Sequence, residues 1–199
     1  MARNVKVLLI GGTSHVGKST LAKRLAAASG WRHLSTDELA RHPGRPWRAD
    51  GARLPDDVVR YYSRGSADER VESVLRHYRE NVWPIAEAIV RSHLNNPYDP
   101  CLVLEGSAML PEQVHAAAFE RARWVWLTAP HESIRQRIQA GSAFDGRSAG
   151  EKALIEAFLE RALAFDAVVV DSCARLGERC LDAGAADAYD ELAALVGAP

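Results

Sequence analysis

No stretch of this chain limits its fold as much as the one from Val5 to Thr20. Val5 to Ile10 is an apolar run free of Pro and Gly, which predicts a buried strand of a parallel sheet. Gly11 and Gly12 end the run. From Gly12 the pattern is G-x-x-x-x-G-K-S, closed by Gly17, Lys18 and Ser19. Leu21, Ala22, Leu25 and Ala26 then recur as one face of a helix. A strand before such a loop and a helix after it are the context that gives the pattern its meaning.

That meaning is phosphate chemistry. A loop that wraps a phosphate turns its N–H groups inward, and side chains there block close approach. Gly12 and Gly17 remove the obstacle and permit positive φ. The helix beginning near Lys18 aims unpaired N–H groups and its positive dipole end at the anion. Lys18 adds a mobile charge for β- and γ-phosphates, and the Ser19 hydroxyl is placed for Mg²⁺. The expected phosphate contacts are therefore Gly12, Thr13, Ser14, His15, Val16, Gly17, Lys18, Ser19 and Thr20. His15 holds a variable loop position, where a solvent-facing or backbone-bonded ring is expected.

A chain of 199 residues is long enough for one domain with a sizeable core. Its formal net charge of −1 gives no general attraction to nucleic acid or to an anionic membrane. No apolar run approaches a membrane span. Met-Ala-Arg-Asn leads straight into the first strand, so no signal peptide is expected and the cytoplasm is the expected compartment. The three cysteines contain no C-x-x-C pair, which argues for free thiols over a disulfide framework or a zinc site.

Further along, Gly30 supplies a helix stop and Trp31 to Ser35 a second short strand. Ser35-Thr-Asp-Glu38 reads as a capping box. It also places the Asp37 carboxylate at the carboxyl edge of the sheet, where open α/β sheets bind ligands and where an acid can orient or deprotonate a hydroxyl. Residues 41–55 are rich in Pro, Gly and Arg. Any one arginine there is readily a solvated surface group. As a cluster, Arg41, Arg45 and Trp47 suit an acceptor with anionic or ring-shaped parts. Ser66 to Glu69 is another capping box, opening an amphipathic helix to about Leu94 in which Pro84 predicts a kink.

Cys101 to Leu104 is a buried strand ending at Glu105, which faces the same edge and could hold Mg²⁺ through water or bind an acceptor hydroxyl. Trp124 to Thr128 is a further strand, followed by a helix with Arg135 and Arg137. Gly141 to Gly150 breaks that helix and carries Arg147. It reads either as a solvated loop or as a lid delivering an arginine to a transferring phosphoryl group. Ala167 to Val170 reads as a fifth strand, with residues 173–183 and 187–196 as closing helices. Alternating strands and helices predict a three-layer α/β domain around a five-stranded parallel sheet, spanning 1–199, with an acceptor lobe near 41–95 and a lid near 138–150.

Gly11 to Ala22, Ser35-Thr-Asp37 and Leu104-Glu105-Gly106 resemble the P-loop kinases of small metabolites and nucleotides, a group that includes shikimate, gluconate and nucleoside kinases and the 5′-polynucleotide kinase domain. In motif they are most similar to 2-phosphoglycerate kinase and its relatives. The resemblance covers the three strand-end motifs and, loosely, the lid; it does not extend over residues 43–95. It implies ATP, Mg²⁺ and phosphoryl transfer to a hydroxyl of a small acceptor. By it, Lys18 holds phosphates, Ser19 holds the metal, Asp37 meets the acceptor hydroxyl, and Arg137 and Arg147 neutralise charge.

Two other readings stay open. One is an ATPase or nucleotide switch working on a protein, although the Asn-Lys-x-Asp base-reading motif of GTPases is missing from the sequence. The other is a polynucleotide 5′-kinase, which the arginine and aromatic cluster permits and the charge balance disfavours. A homodimer is compatible with the sequence, and a membrane partner is not expected.

Overall fold

The computed structural model describes residues 5–40, 43–50 and 52–197. Arg41 lies outside them, so its expected acceptor contact is not addressed by the structure.

The sheet has five parallel strands in the order β2-β3-β1-β4-β5. β1 (Val7–Gly12) is central and wholly buried, between β3 (Leu102–Glu105) and β4 (Ala122–Thr128). β2 (Arg32–Ser35) flanks β3, and β5 (Cys180–Asp182) flanks β4. Residues two apart share a face, so each strand feeds two cores. Leu8, Ile10, Val103 and Leu127 pack on one side with Leu25, Ile134 and Phe158. Val7, Leu9, Leu104 and Trp126 pack on the other with Val90, Val114 and Phe165. This is the expected three-layer α/β architecture.

The fifth strand is not where the valine run suggested. Ala167 to Val170 lies inside α7 (Ala149–Leu176), a helix of 28 residues. Ser148 and Glu151 form a reciprocal capping box at its start, and Gly177 at φ 67° ends it. Val169 is 2% exposed while Val168 and Val170 are 38% and 39% exposed, a helical pattern with one valine turned inward. A short apolar run does not by itself separate strand from helix, and the long capped helix around it decides. The true edge strand is Cys180–Asp182, inside the segment expected to be helical.

Between β2 and β3 lie α2 (Asp56–Tyr62), α3 (Ala67–His77) and α4 (Trp83–Asn95). Ser66 and Glu69 cap α3 as expected. The predicted kink takes a specific form: residues Tyr78–Val82 are a π-helical turn in which the Trp83 N–H reaches back to the Tyr78 carbonyl. The wider turn comes just before Pro84, where a missing N–H would leave a regular helix one bond short. α6 (His131–Ser142) runs through Gly141, so residues 143–148 alone separate it from α7. The expected lid is shorter than its glycines suggested. α1 (Lys18–Ser29), α5 (Pro111–Ala117) and α8 (Ala188–Val196) complete the layers. Among the described residues no helix is long and apolar enough to cross a membrane.

Candidate active site

The phosphate loop leaves β1 at Gly12, whose φ is 125°. A Cβ there would lie 2.2 Å from the Leu127 carbonyl oxygen, so only glycine lets the chain turn this close to β4. Gly17, at φ 114°, stands at the amino end of α1. Of the residues between, Thr13 and Val16 turn their side chains inward. Thr13 Oγ1 donates to the Ala162 carbonyl at 2.8 Å, and Val16 is fully buried. Their backbones are what remains for an anion, as a cradle of main-chain amides requires.

Lys18 is 7% exposed. Its Nζ donates to the Thr13 carbonyl at 2.6 Å and to Ser107 Oγ at 3.4 Å, so it lies folded along the loop it serves. Burial lowers its pKa, while the Glu105, Asp37 and Asp166 carboxylates oppose that shift. Ser19 Oγ donates to Glu105 Oε1 at 3.0 Å, and Glu105 is 2% exposed at the end of β3. His33 Nε2 stands 3.6 Å from the same oxygen. A hydroxyl and a buried carboxylate side by side at the helix start are hard oxygen donors of the kind Mg²⁺ takes alongside waters and phosphate oxygens. Among the described residues no cluster of three or more His, Cys, Asp or Glu could hold a metal unaided.

Arg137 arrives from α6. Its Nη1 donates to the Val16 carbonyl at 2.7 Å and to the His15 carbonyl at 3.1 Å, which lays the guanidinium against the phosphate loop. Together with His15, Gly17, Lys18, Ser19, Thr20 and Arg45 it lines a cavity of about 470 Å³. A second cavity of about 260 Å³ is lined by Ser14 of the loop together with Thr36, Asp37, Arg45, Tyr78 and Arg161. Arg45 thus belongs to both walls.

Asp37 sits in a short 3₁₀ turn, Thr36–Glu38, where Ser35 Oγ accepts from the Asp37 N–H at 3.4 Å. The expected α-helical capping box through Glu38 is replaced by this tighter turn. Gly106 permits it: a Cβ on Gly106, at φ 150°, would sit 1.7 Å from Thr36 Oγ1. The end of β3 and the turn after β2 therefore approach so closely that Asp37 opens onto the cavity beside the phosphate loop.

Four expectations are corrected. His15 is not fully solvent-facing but half-buried, in the wall of the first cavity. It adopts φ 65° and packs against Trp47 and Phe158 at 5.8 Å between ring centroids. Burial first, then the charges of Arg45, Lys18 and Arg137, lower its pKa to about 4, so it is neutral at pH 7. Trp47 is not a bare acceptor platform: it is 8% exposed, stacks edge-on to Phe158 at 4.9 Å and joins the core. Arg147 does not line either cavity. Its Nε donates to the Ser142 carbonyl, Nη1 to Glu151 and Nη2 to the Arg48 carbonyl at 2.8, 3.1 and 3.2 Å, which ties residues 143–148 to the arginine-rich loop. Glu105 stands on the Ser19 side and not in the wall of the Asp37 cavity, so only the metal half of its expected role has geometry behind it.

Some residues went unnoticed in the sequence. Ser107 receives Lys18. Asp166 is buried on α7, accepts from Thr128 at 2.8 Å, and burial raises its pKa. Arg161 enters the second cavity from the same helix. The available signal was an arginine on the apolar stripe between Phe158 and Phe165.

The chain is similar over 98% of its length to a gluconokinase from Sinorhizobium meliloti 1021, covering 89% of that chain with a TM-score of 0.50 and 17% identity. It also aligns over 96% of its length with 90% of a shikimate kinase from Acinetobacter baumannii, at a TM-score of 0.47 and 15% identity. A stretch of 52 residues, 26% of this chain, is 46% identical to the cytidylate kinase of Rhodopseudomonas palustris (strain BisA53) and spans 25% of that protein's length. No family model matches the chain. The gluconokinase likeness and the sheet order together give the chain the P-loop kinase fold.

Proposed function

We propose that this chain, with its P-loop kinase fold, transfers the γ-phosphoryl group of ATP to a hydroxyl of a small acceptor. One observation carries the reading: the phosphate-loop cavity and the Asp37 cavity adjoin, with Ser14 of the loop in the wall of the second and Arg45 in the walls of both. A donor phosphate and an acceptor hydroxyl would meet at that boundary.

Lys18, Arg45 and Arg137 bring three cations to the nucleotide cavity, and the loop amides add the field of a helix start. Phosphoryl transfer needs mainly positioning and charge neutralisation, so no covalent enzyme intermediate is required. Asp37 accepts the proton of the acceptor hydroxyl. The acceptor oxygen bonds to the γ-phosphorus as the bond to the β–γ bridging oxygen breaks, and ADP leaves with that electron pair. Ser19 and Glu105 are the residues that would hold Mg²⁺, which supplies further charge neutralisation on the phosphate oxygens. Residues 43–50 with α2 and α3 form the acceptor lobe, and residues 143–148 its cover. The kinase names attached to the aligned proteins fit this reading without naming the acceptor.

The test is a screen of ATP consumption against sugars, nucleosides, hydroxy acids and antibiotic-like alcohols, followed by Asp37→Asn on the acceptor found. The variant should lose transfer by about 100-fold or more, in line with removal of a general base, while its nucleotide affinity holds. Full transfer by Asp37→Asn would remove the base assignment. ATP hydrolysis that needs a protein and no acceptor would favour the switch or ATPase reading.

A further inference from the structure

A cation in the wall of the Asp37 cavity forms no ion pair among the described residues. Arg161 is 7% exposed on α7 and forms part of the cavity wall. Its guanidinium lies 4.7 Å from the Phe158 ring centre and 5.5 Å from that of Tyr62. Those rings hold it in place, and Tyr62 is itself fixed by a 2.8 Å hydrogen bond from its hydroxyl to the Gly44 carbonyl. Ring faces accept charge but leave a guanidinium's N–H donors, five in number, without oxygen partners. Among the described residues Arg161 donates no hydrogen bond and joins no ion pair, not even with Asp37 in the same wall. The other arginine buried among the described residues, Arg70, 6% exposed, does find oxygens: Nη1 donates to the Arg64 and Gly65 carbonyls and Nη2 to Glu160, leaving Nε alone without a partner.

Burying an unpaired charge is costly unless something completes it. Here the space beside it is an open cavity. Arg45 adds a second positive charge to the same wall, and it too has no ion-pair partner among the described residues. We infer that Arg161 is an oxyanion-binding residue and that the acceptor is a hydroxylated anion, carrying a carboxylate or a phosphate ester for Arg161 and a hydroxyl for Asp37. This deepens the kinase reading and rests on it for the role of the hydroxyl, but not for the binding of the anion. A planar guanidinium braced by two rings is pre-organised to take two oxygens at once. The cavity volume of about 260 Å³ suits a compact acid better than a polymer.

The experiment is calorimetry on the full chain with the phosphate loop first saturated by Mg²⁺ and a non-hydrolysable ATP analogue, so that the loop takes no added anion. The probes are inorganic phosphate and two matched pairs: gluconate with sorbitol, and ribose 5-phosphate with ribose. The inference expects at least one oxyanion to bind while its neutral partner binds about tenfold or more weakly. Which pair shows the difference separates carboxylate from phosphate ester. Arg161→Met keeps an apolar stem between Phe158 and Tyr62 and should weaken that anion by about 10- to 100-fold, the range for a charge-assisted pair. Arg161→Lys should recover part of it, and the affinity of both variants for the ATP analogue should stay at the wild-type value.

Neutral partners binding as well as the acids would overturn the inference and leave the kinase reading standing. So would an anion affinity unchanged in Arg161→Met, or no oxyanion binding at all. Failure of the ATP analogue to bind the wild type would instead strike at the kinase reading, and phosphate titrations of wild type and Arg161→Met would still decide the subsite.

Discussion

Replacing Trp47 by alanine tests how the arginine-rich loop is fastened over the site. Trp47 is 8% exposed and packs against both His15 and Phe158. Truncating a buried Trp costs about 3–5 kcal/mol. The lower end applies here, because a loop can close part of the gap. In a domain of this size about 3 kcal/mol lowers Tm by about 6–12 °C. A second effect follows from His15. Its folded pKa is about 4 against an ordinary value of 6.5, so the unfolded chain takes up a proton that the folded chain refuses. Stability is therefore lost as pH falls from 6.5 towards 4. Between pH 7 and pH 5 that loss is about 1–2 kcal/mol once the partial solvent access of the ring is allowed for. Trp47→Ala opens the ring to water, raises the His15 pKa and flattens this slope, so the variant should lose less stability than wild type on acidification. Urea unfolding at the two pH values, with an NMR titration of the His15 ring, measures both parts. A stability change below about 1 kcal/mol at pH 7, or a His15 pKa unmoved in the variant, would show that Trp47 does not fasten the loop over His15.

Gly106→Ala should drive the Thr36 turn away, because the new Cβ would lie 1.7 Å from Thr36 Oγ1. Transfer to the acceptor should fall far more than nucleotide affinity, which steady-state kinetics beside nucleotide titration will show. Equal losses in both would mean that the turn has no special tie to Asp37. Glu105→Gln keeps the shape beside Ser19 and removes the charge, so the Mg²⁺ concentration for half-maximal nucleotide binding should rise about tenfold, the worth of one charged ligand. An unchanged Mg²⁺ requirement would place the metal elsewhere.

The placement of much of the candidate site was legible because it hangs on strand ends. The loop after β1, Asp37 after β2 and Glu105 at the end of β3 all lie on the carboxyl edge of a parallel sheet, where local sequence fixes direction. Arg137 was legible through the resemblance, which puts an arginine on the helix before the lid. What failed was decided by packing across the chain. Trp47 sits in a Pro- and Gly-rich loop whose path no periodicity describes, so the sequence showed an aromatic ring without showing that it turns inward. Arg161 reaches the cavity only because α7 crosses the phosphate loop at Ala162, a tertiary fact. The valine run of residues 168–170 was misassigned because β-branched residues favour strands only weakly and yield to a capped helix around them. The short strand Cys180–Asp182 exists chiefly because β4 offers it an edge.

Whether the loop after β1 holds a nucleotide is decided by the affinity of Mg²⁺–ATP for the wild-type chain and for Lys18→Met, measured by calorimetry with circular dichroism confirming that both are folded. The wild type should give a clear binding heat and the variant a loss of about 10- to 100-fold, as removal of a charge-assisted phosphate contact implies. Equal affinity in the two proteins, or no binding to the wild type, would mean that the loop is not a nucleotide site.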